Sequence, residues 1–247
     1  MLTVVMYHHI NSDDLPLSNS DRMMEEHLAL ISKRFTTLFP GDPIVSNAVC
    51  LTFDDAYFDF YHYVFPLLKK YNLKALLAVP SMYILQDTDV APERRLSLKH
   101  HEIYEGDNYK TDAPFCTYTE LREMVKSGHV MVASHGMNHI NLSDEGVDLE
   151  QEIFGSKVAL EENLGCRVDS FVLPYGKYND ATVALAREHY SYVFRIGNAL
   201  NPSWDGIGRL VYRVKGDALK TPDELFKPLK KLGFWFKTVI KILKGSR

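Results

Sequence analysis

Cysteine is scarce in this chain. Cys50, Cys116 and Cys166 stand far apart and are odd in number. No CxxC pair or zinc-ribbon spacing occurs, so they read as reduced thiols in a reducing compartment. Long apolar runs are also missing, which excludes a membrane-spanning helix. The N-terminal stretch Met1–His8 has no basic residue and too short an apolar run for a signal peptide, so the expectation is a cytoplasmic protein. There is no internal repeat and no low-complexity tract. Positive charge is short over most of the length. The net charge is −4, but from Lys220 onward eight basic residues face two acidic ones, so the first 219 residues carry −10. An acidic body argues against nucleic acid as the main partner.

What is present is enough for one large α/β domain: 247 residues, 46 % hydrophobic. Apolar runs predict strands over 2–7, 48–53, 74–80, 129–134, 170–173, 190–196 and 210–214. Helical spacing predicts helices over 22–35, 57–71 (interrupted by Pro66), 119–126, 144–164 and 181–189. Strand and helix alternate, which predicts parallel strands in a sheet or barrel. Residues 81–114 are polar and longer than an ordinary connection, so they form a lid or an insertion.

Three clusters carry the chemistry. Leu51-Thr52-Phe53-Asp54-Asp55 ends a buried strand with two adjacent carboxylates, which suits a metal or a general base beside one. A helix cap is the competing reading, since a helical pattern follows. Downstream lie Ser134-His135-Gly136-Met137-Asn138-His139 and Phe171-Val172-Leu173-Pro174-Tyr175-Gly176. His100-His101 is a further pair, but nothing near it completes a site.

In order and spacing these three clusters resemble the polysaccharide deacetylase family (NodB-type, carbohydrate esterase 4), over roughly residues 2–214. The resemblance implies a distorted (β/α) barrel with parallel strands. It implies a hydrolase that removes acetyl groups from a sugar or glycan, the N-acetyl group before an O-acetyl one. Asp54 would be the general base, and Asp55, His135 and His139 the ligands of one divalent metal: zinc, or otherwise cobalt, nickel or manganese. Tyr175 would offer its backbone N–H to an oxyanion, with Pro174 fixing the turn. Two histidines and one carboxylate leave coordination positions open, as catalytic sites do.

Two departures stand out. The family often has an Arg where this chain has Val172; Arg209 or Arg213 is the candidate replacement. The family's late Leu-x-His motif is absent after Gly176, but Met6-Tyr7-His8 resembles it moved to the front, as in the circularly permuted branch. His8 is thus the expected general acid, and His9 a structural residue. Trp204 is a candidate sugar platform, with packing in a turn as the alternative.

These readings divide the chain into a catalytic domain over 1–219 and a basic, amphipathic C-terminal helix over 220–247. Leu225, Leu229, Leu232, Phe236, Val239 and Leu243 form its apolar stripe, either docked on the body or laid on an anionic membrane. The membrane reading would place the protein at the inner face of the membrane, with a lipid-linked glycan as substrate. Two other functions stay open: a C–N hydrolase acting on a small cyclic amide, and a non-catalytic glycan-binding descendant.

Overall fold

The computed structural model describes residues 1–10, 17–98 and 102–244; His100-His101 lies outside them. Seven parallel strands close into a barrel: β1 (Thr3–Tyr7), β2 (Ala48–Phe53), β3 (Ala75–Val79), β4 (Val130–Ser134), β5 (Ser170–Val172), β6 (Tyr192–Ile196) and β7 (Val211–Lys215). Closure comes from β1, which pairs on one side with β2 (Thr3 opposite Val49 through Tyr7 opposite Phe53) and on the other with β7. The seam between β4 and β5 is the thinnest, with Ser134 opposite Phe171 as its one register pair, which distorts the barrel.

Alternation along the strands sorts side chains between two cores. Val4, Cys50, Leu76, Ala78, Ala133, Val172, Phe194 and Val211 fill the barrel interior. Val5, Tyr7, Val49, Leu51, Leu77 and Val132 face outward under the helices. Those helices are α1 (Asp21–Arg34), α2 (Phe65–Tyr71), α3 (Tyr118–Lys126), α4 (Ser156–Leu164), α5 (Asp180–His189) and α6 (Pro228–Leu243). Local chemistry sets their ends. Ser20 caps α1, Thr117 and Glu120 form a capping box on α3, and Asn179 caps α5.

Two helices differ from the sequence expectation. The helix expected over 57–71 opens as a π-helical turn, Phe60–Val64, with Phe65 N–H donated to Phe60 O; α2 then begins with Pro66 in its first turn, where a missing N–H costs nothing. The helix expected over 144–164 starts only at Glu150. Asn141 takes the Ser143 N–H and pairs with Asp144, and Gly146 sits at φ 78°, so the preceding residues form turns instead. Between β3 and α3 the long segment folds as short helical turns, Ser81–Tyr83, Pro92–Arg95 and Asn108–Thr111.

Candidate active site

The C-terminal ends of the strands gather the polar side chains, as in other parallel barrels. Asp54 follows β2 and is buried. Its two oxygens accept from Arg213 Nη1 and Nη2 of β7 at 2.5 and 2.9 Å. Arg213 is fully enclosed inside the barrel, and its Nη1 also reaches Thr52 Oγ1 at 3.2 Å. Burial disfavours the charged form of Asp54, but the Arg213 guanidinium, with help from His135 and His8, outweighs it and lowers the carboxyl below its ordinary range. Val172 faces the same interior from β5, so one guanidinium there suffices and it comes from β7. Arg209 does not take part: it is exposed, in the loop before β7, at the opposite end of the barrel from Asp54.

His8, just after β1, lies with Nε2 3.7 Å from Asp54 Oδ2. Asp217, just after β7, accepts both the His8 backbone N–H and the ring Nδ1–H at 2.9 Å. Burial pulls the imidazole down, yet the Asp217 hydrogen bond and the charges of Asp54, Asp217 and Asp55 raise it from 6.5 to about 9. His8 is therefore an imidazolium at neutral pH, held beside an ionised carboxylate. His9 points elsewhere, stacked on Tyr57 at 3.7 Å and bonded to Asp59 at 2.8 Å.

Asp55, His135 and His139 converge from the ends of β2 and β4, with one ligand atom of each within 4.8 Å of the others. His139 Nε2 and His135 Nε2 lie 3.1 and 3.5 Å from Asp55 Oδ1. That oxygen is buried and accepts no hydrogen bond among the described residues. His135 Nδ1 is bonded to the Val172 carbonyl at 2.7 Å, which requires the proton there and leaves Nε2 a bare lone pair. Burial lowers His135 to about 4, so the ring is neutral, as a metal ligand must be. Ligand atoms around a tetrahedral zinc with bonds of about 2.0 Å stand about 3.3 Å apart. The three residues fit a divalent cation.

The turns that aim these ligands are strained. Asp55 and Ala56 have φ of 71° and 52°, and His139 has 50°. Ala56 thus holds a left-handed backbone that glycine would adopt without the Cβ penalty. Gly136 (φ 79°) leaves room for Glu152, whose carboxylate accepts from the Met137 and Asn138 N–H groups, both at 3.0 Å. Tyr175 also adopts a left-handed conformation (φ 54°) after the buried Pro174; its ring is 59 % exposed and lies 4.7 Å from the His139 ring. Tyr104, from the long segment after β3, stacks on His139 at 4.9 Å.

Trp204 is not a platform at this site. It sits before β7 at the far end of the barrel, where its indole N–H donates to the Asp42 carbonyl at 2.7 Å and its ring meets Tyr192. The packing alternative describes it. Sequence reasoning missed Asp217, Glu152 and Tyr104. The one available signal was position for Asp217, an acid two residues past the last strand on the end where chemistry gathers.

Comparison with known proteins agrees with this geometry. The family profile for polysaccharide deacetylase matches residues 43–193. A Bacillus subtilis protein named as a polysaccharide deacetylase, YxkH, is 24 % identical over 198 residues, 76 % of this chain and 61 % of its own length. The poly-β-1,6-N-acetyl-D-glucosamine N-deacetylase of Escherichia coli K12 is 32 % identical over 98 residues, 40 % of this chain and 13 % of the longer protein. The chain thus spans less than two thirds of the curated relatives it matches. In fold, it superposes on the deacetylase PplD of Streptococcus pyogenes, solved with acetate, with a TM-score of 0.72 at 23 % identity, over 91 % of this chain and 96 % of that one.

Proposed function

The chain belongs to the polysaccharide deacetylase family, and we propose that it hydrolyses acetyl groups from an N-acetylated polysaccharide or sugar. The observation that carries this reading is the pairing of an ionised Asp54 with a protonated His8 across 3.7 Å, directly beside Asp55, His135 and His139. A divalent cation on those three ligands, zinc by the donor set, would supply an acidified water and an electrophile for the acetyl carbonyl.

The protein groups divide the remaining work. Asp54 accepts the proton of the attacking water as its oxygen bonds to the carbonyl carbon. The Tyr175 backbone N–H donates to the developing oxyanion, and the left-handed backbone of Tyr175 after Pro174 fixes that donor in advance. When the C–N bond breaks, His8 gives its proton to the departing nitrogen, so acetate and a free amine result. Amide nitrogen leaves poorly without a proton. An acid held charged to about pH 9 therefore favours an amide substrate over an ester, whose alkoxide needs it less.

The test is acetate release from N-acetylated β-linked glucosamine oligosaccharides, with metal-stripped protein, zinc- or cobalt-restored protein, and Asp54→Asn. Metal-dependent release that the variant lacks is the expected result. Metal-restored protein that releases no acetate from these oligosaccharides or from an aryl acetate would overturn the reading.

A further inference from the structure

The C-terminal helix is attached to the barrel by the wrong face for its apolar stripe. Phe234 and Thr238 are the buried residues of α6; Thr238 Oγ1 takes the Leu200 N–H at 2.7 Å. Just before the helix, Leu225 and Phe226 are buried, the latter against the rings of His27 and Phe35. At 100° per residue the opposite side of α6 carries Leu229, Leu232, Phe236, Ile240 and Leu243, which are 83, 49, 53, 50 and 80 % exposed. The sequence offered self-docking and membrane contact as alternative accounts of the stripe; of its members Leu225 is buried and Val239 half-buried, while Leu229, Leu232, Phe236 and Leu243 are exposed.

We propose that this face of α6 lies on an anionic lipid surface. Charge selects that occupant. From Pro228 to Leu243 every ionisable side chain is a lysine. On the helix wheel Lys244 and Lys237 flank the apolar face on one side, whereas Lys230 and Lys231 turn toward the body, Lys230 to Glu224 at 3.0 Å and Lys231 over the Phe35 ring. A second copy seated on this face would set lysines against lysines, whereas a surface of lipid phosphates pairs them. The helix lies flat, because 16 residues span about 24 Å, less than the roughly 30 Å of a bilayer core, and no described helix is long and apolar enough to cross.

The attachment also sets where the site stands. Leu200 follows β6, and Lys230 and Lys237 line a cleft of about 380 Å³ together with Lys215 and Asp217 at the end of β7. Asp217 is the partner of His8. A lipid-bound α6 therefore holds the catalytic mouth of the barrel next to the bilayer, within reach of an acetylated glycan carried on a lipid. The docking itself does not depend on the reaction assigned above.

Vesicle flotation with the full chain tests this, using phosphatidylcholine alone and phosphatidylcholine with one third phosphatidylglycerol. Binding is expected to the anionic vesicles only, and to weaken with added salt. Leu232→Glu with Phe236→Glu, at exposed positions, is expected to lower binding more than tenfold with an unchanged melting temperature. Lys237→Gln and Lys244→Gln are expected to lower it about fivefold each. Equal binding by wild type and the glutamate variant would overturn the proposal. So would absence of binding to anionic vesicles, or a dimer in sedimentation that the glutamate variant dissolves while no vesicle binding is seen.

Discussion

Arg213 and Asp54 stand 159 residues apart in sequence and are joined by two hydrogen bonds of 2.5 and 2.9 Å inside the barrel. Strand β1 lies between their strands, so the pair spans three neighbouring elements and exists only once the barrel has closed.

Arg213→Met leaves a buried carboxylate without its partner. The expected loss is about 3–5 kcal/mol at neutral pH, read by urea unfolding. In the wild type Asp54 ionises below its ordinary value, so its contribution is present at neutral pH and is lost as pH falls through the folded value. In the variant burial raises that value, the sign reverses, and the gap between the two proteins narrows toward acid. The acid limb of the pH–rate profile moves up. Because Val172 faces the same interior, Val172→Arg added to Arg213→Met is expected to recover part of the activity.

His8 titrates at about 9 in the folded chain, above its ordinary 6.5. Its stabilisation is complete below pH 6.5 and is lost as pH rises from there through about 9. Deacetylation should fall around pH 9, where the folded acid loses its proton. Asp217→Asn removes the largest influence that raises His8. The basic limb of the pH–rate profile should then shift down by a unit or more, with kcat affected more than KM. An unmoved basic limb would remove His8 from the role of acid.

Glu152 holds the turn between His135 and His139 through the Met137 and Asn138 N–H groups without touching the ligands. Glu152→Ala is expected to weaken zinc binding about 10–100-fold. Asp55→Asn should weaken it further, and Asp54→Asn should leave it near wild type, all by competition with a chromophoric chelator. Zinc added to stripped wild-type protein should raise the melting temperature, because the cation binds the folded state alone.

Trp204→Ala is expected to cost about 2 kcal/mol of stability, from a half-buried indole and its bond to Asp42. At temperatures where the variant is folded, KM for the glycan should match wild type. A rise in KM of tenfold or more would return Trp204 to the substrate.

Much of this protein was legible as sequence because its signals are local. Continuous apolar runs such as Ala48–Phe53 marked the barrel strands, and apolar residues at helical spacing marked the helices. The paired acids, the Ser-His-x-x-x-His cluster and the Pro-Tyr-Gly turn each fall within a few residues of a strand end, so spacing alone grouped them. The sequence could offer Arg209 and Arg213 equally, because both are cationic and near β7. Only closure of the barrel aimed Arg213 inward at Asp54 and left Arg209 in solvent at the other end. The same holds for Trp204, whose loop belongs to the far rim, and for Asp217, which reaches His8 across 209 residues. For α6, heptad-like spacing determined that one face is apolar. Which face the barrel takes was decided by Phe234 and Thr238 packing beside Leu200, a long-range contact that periodicity does not encode.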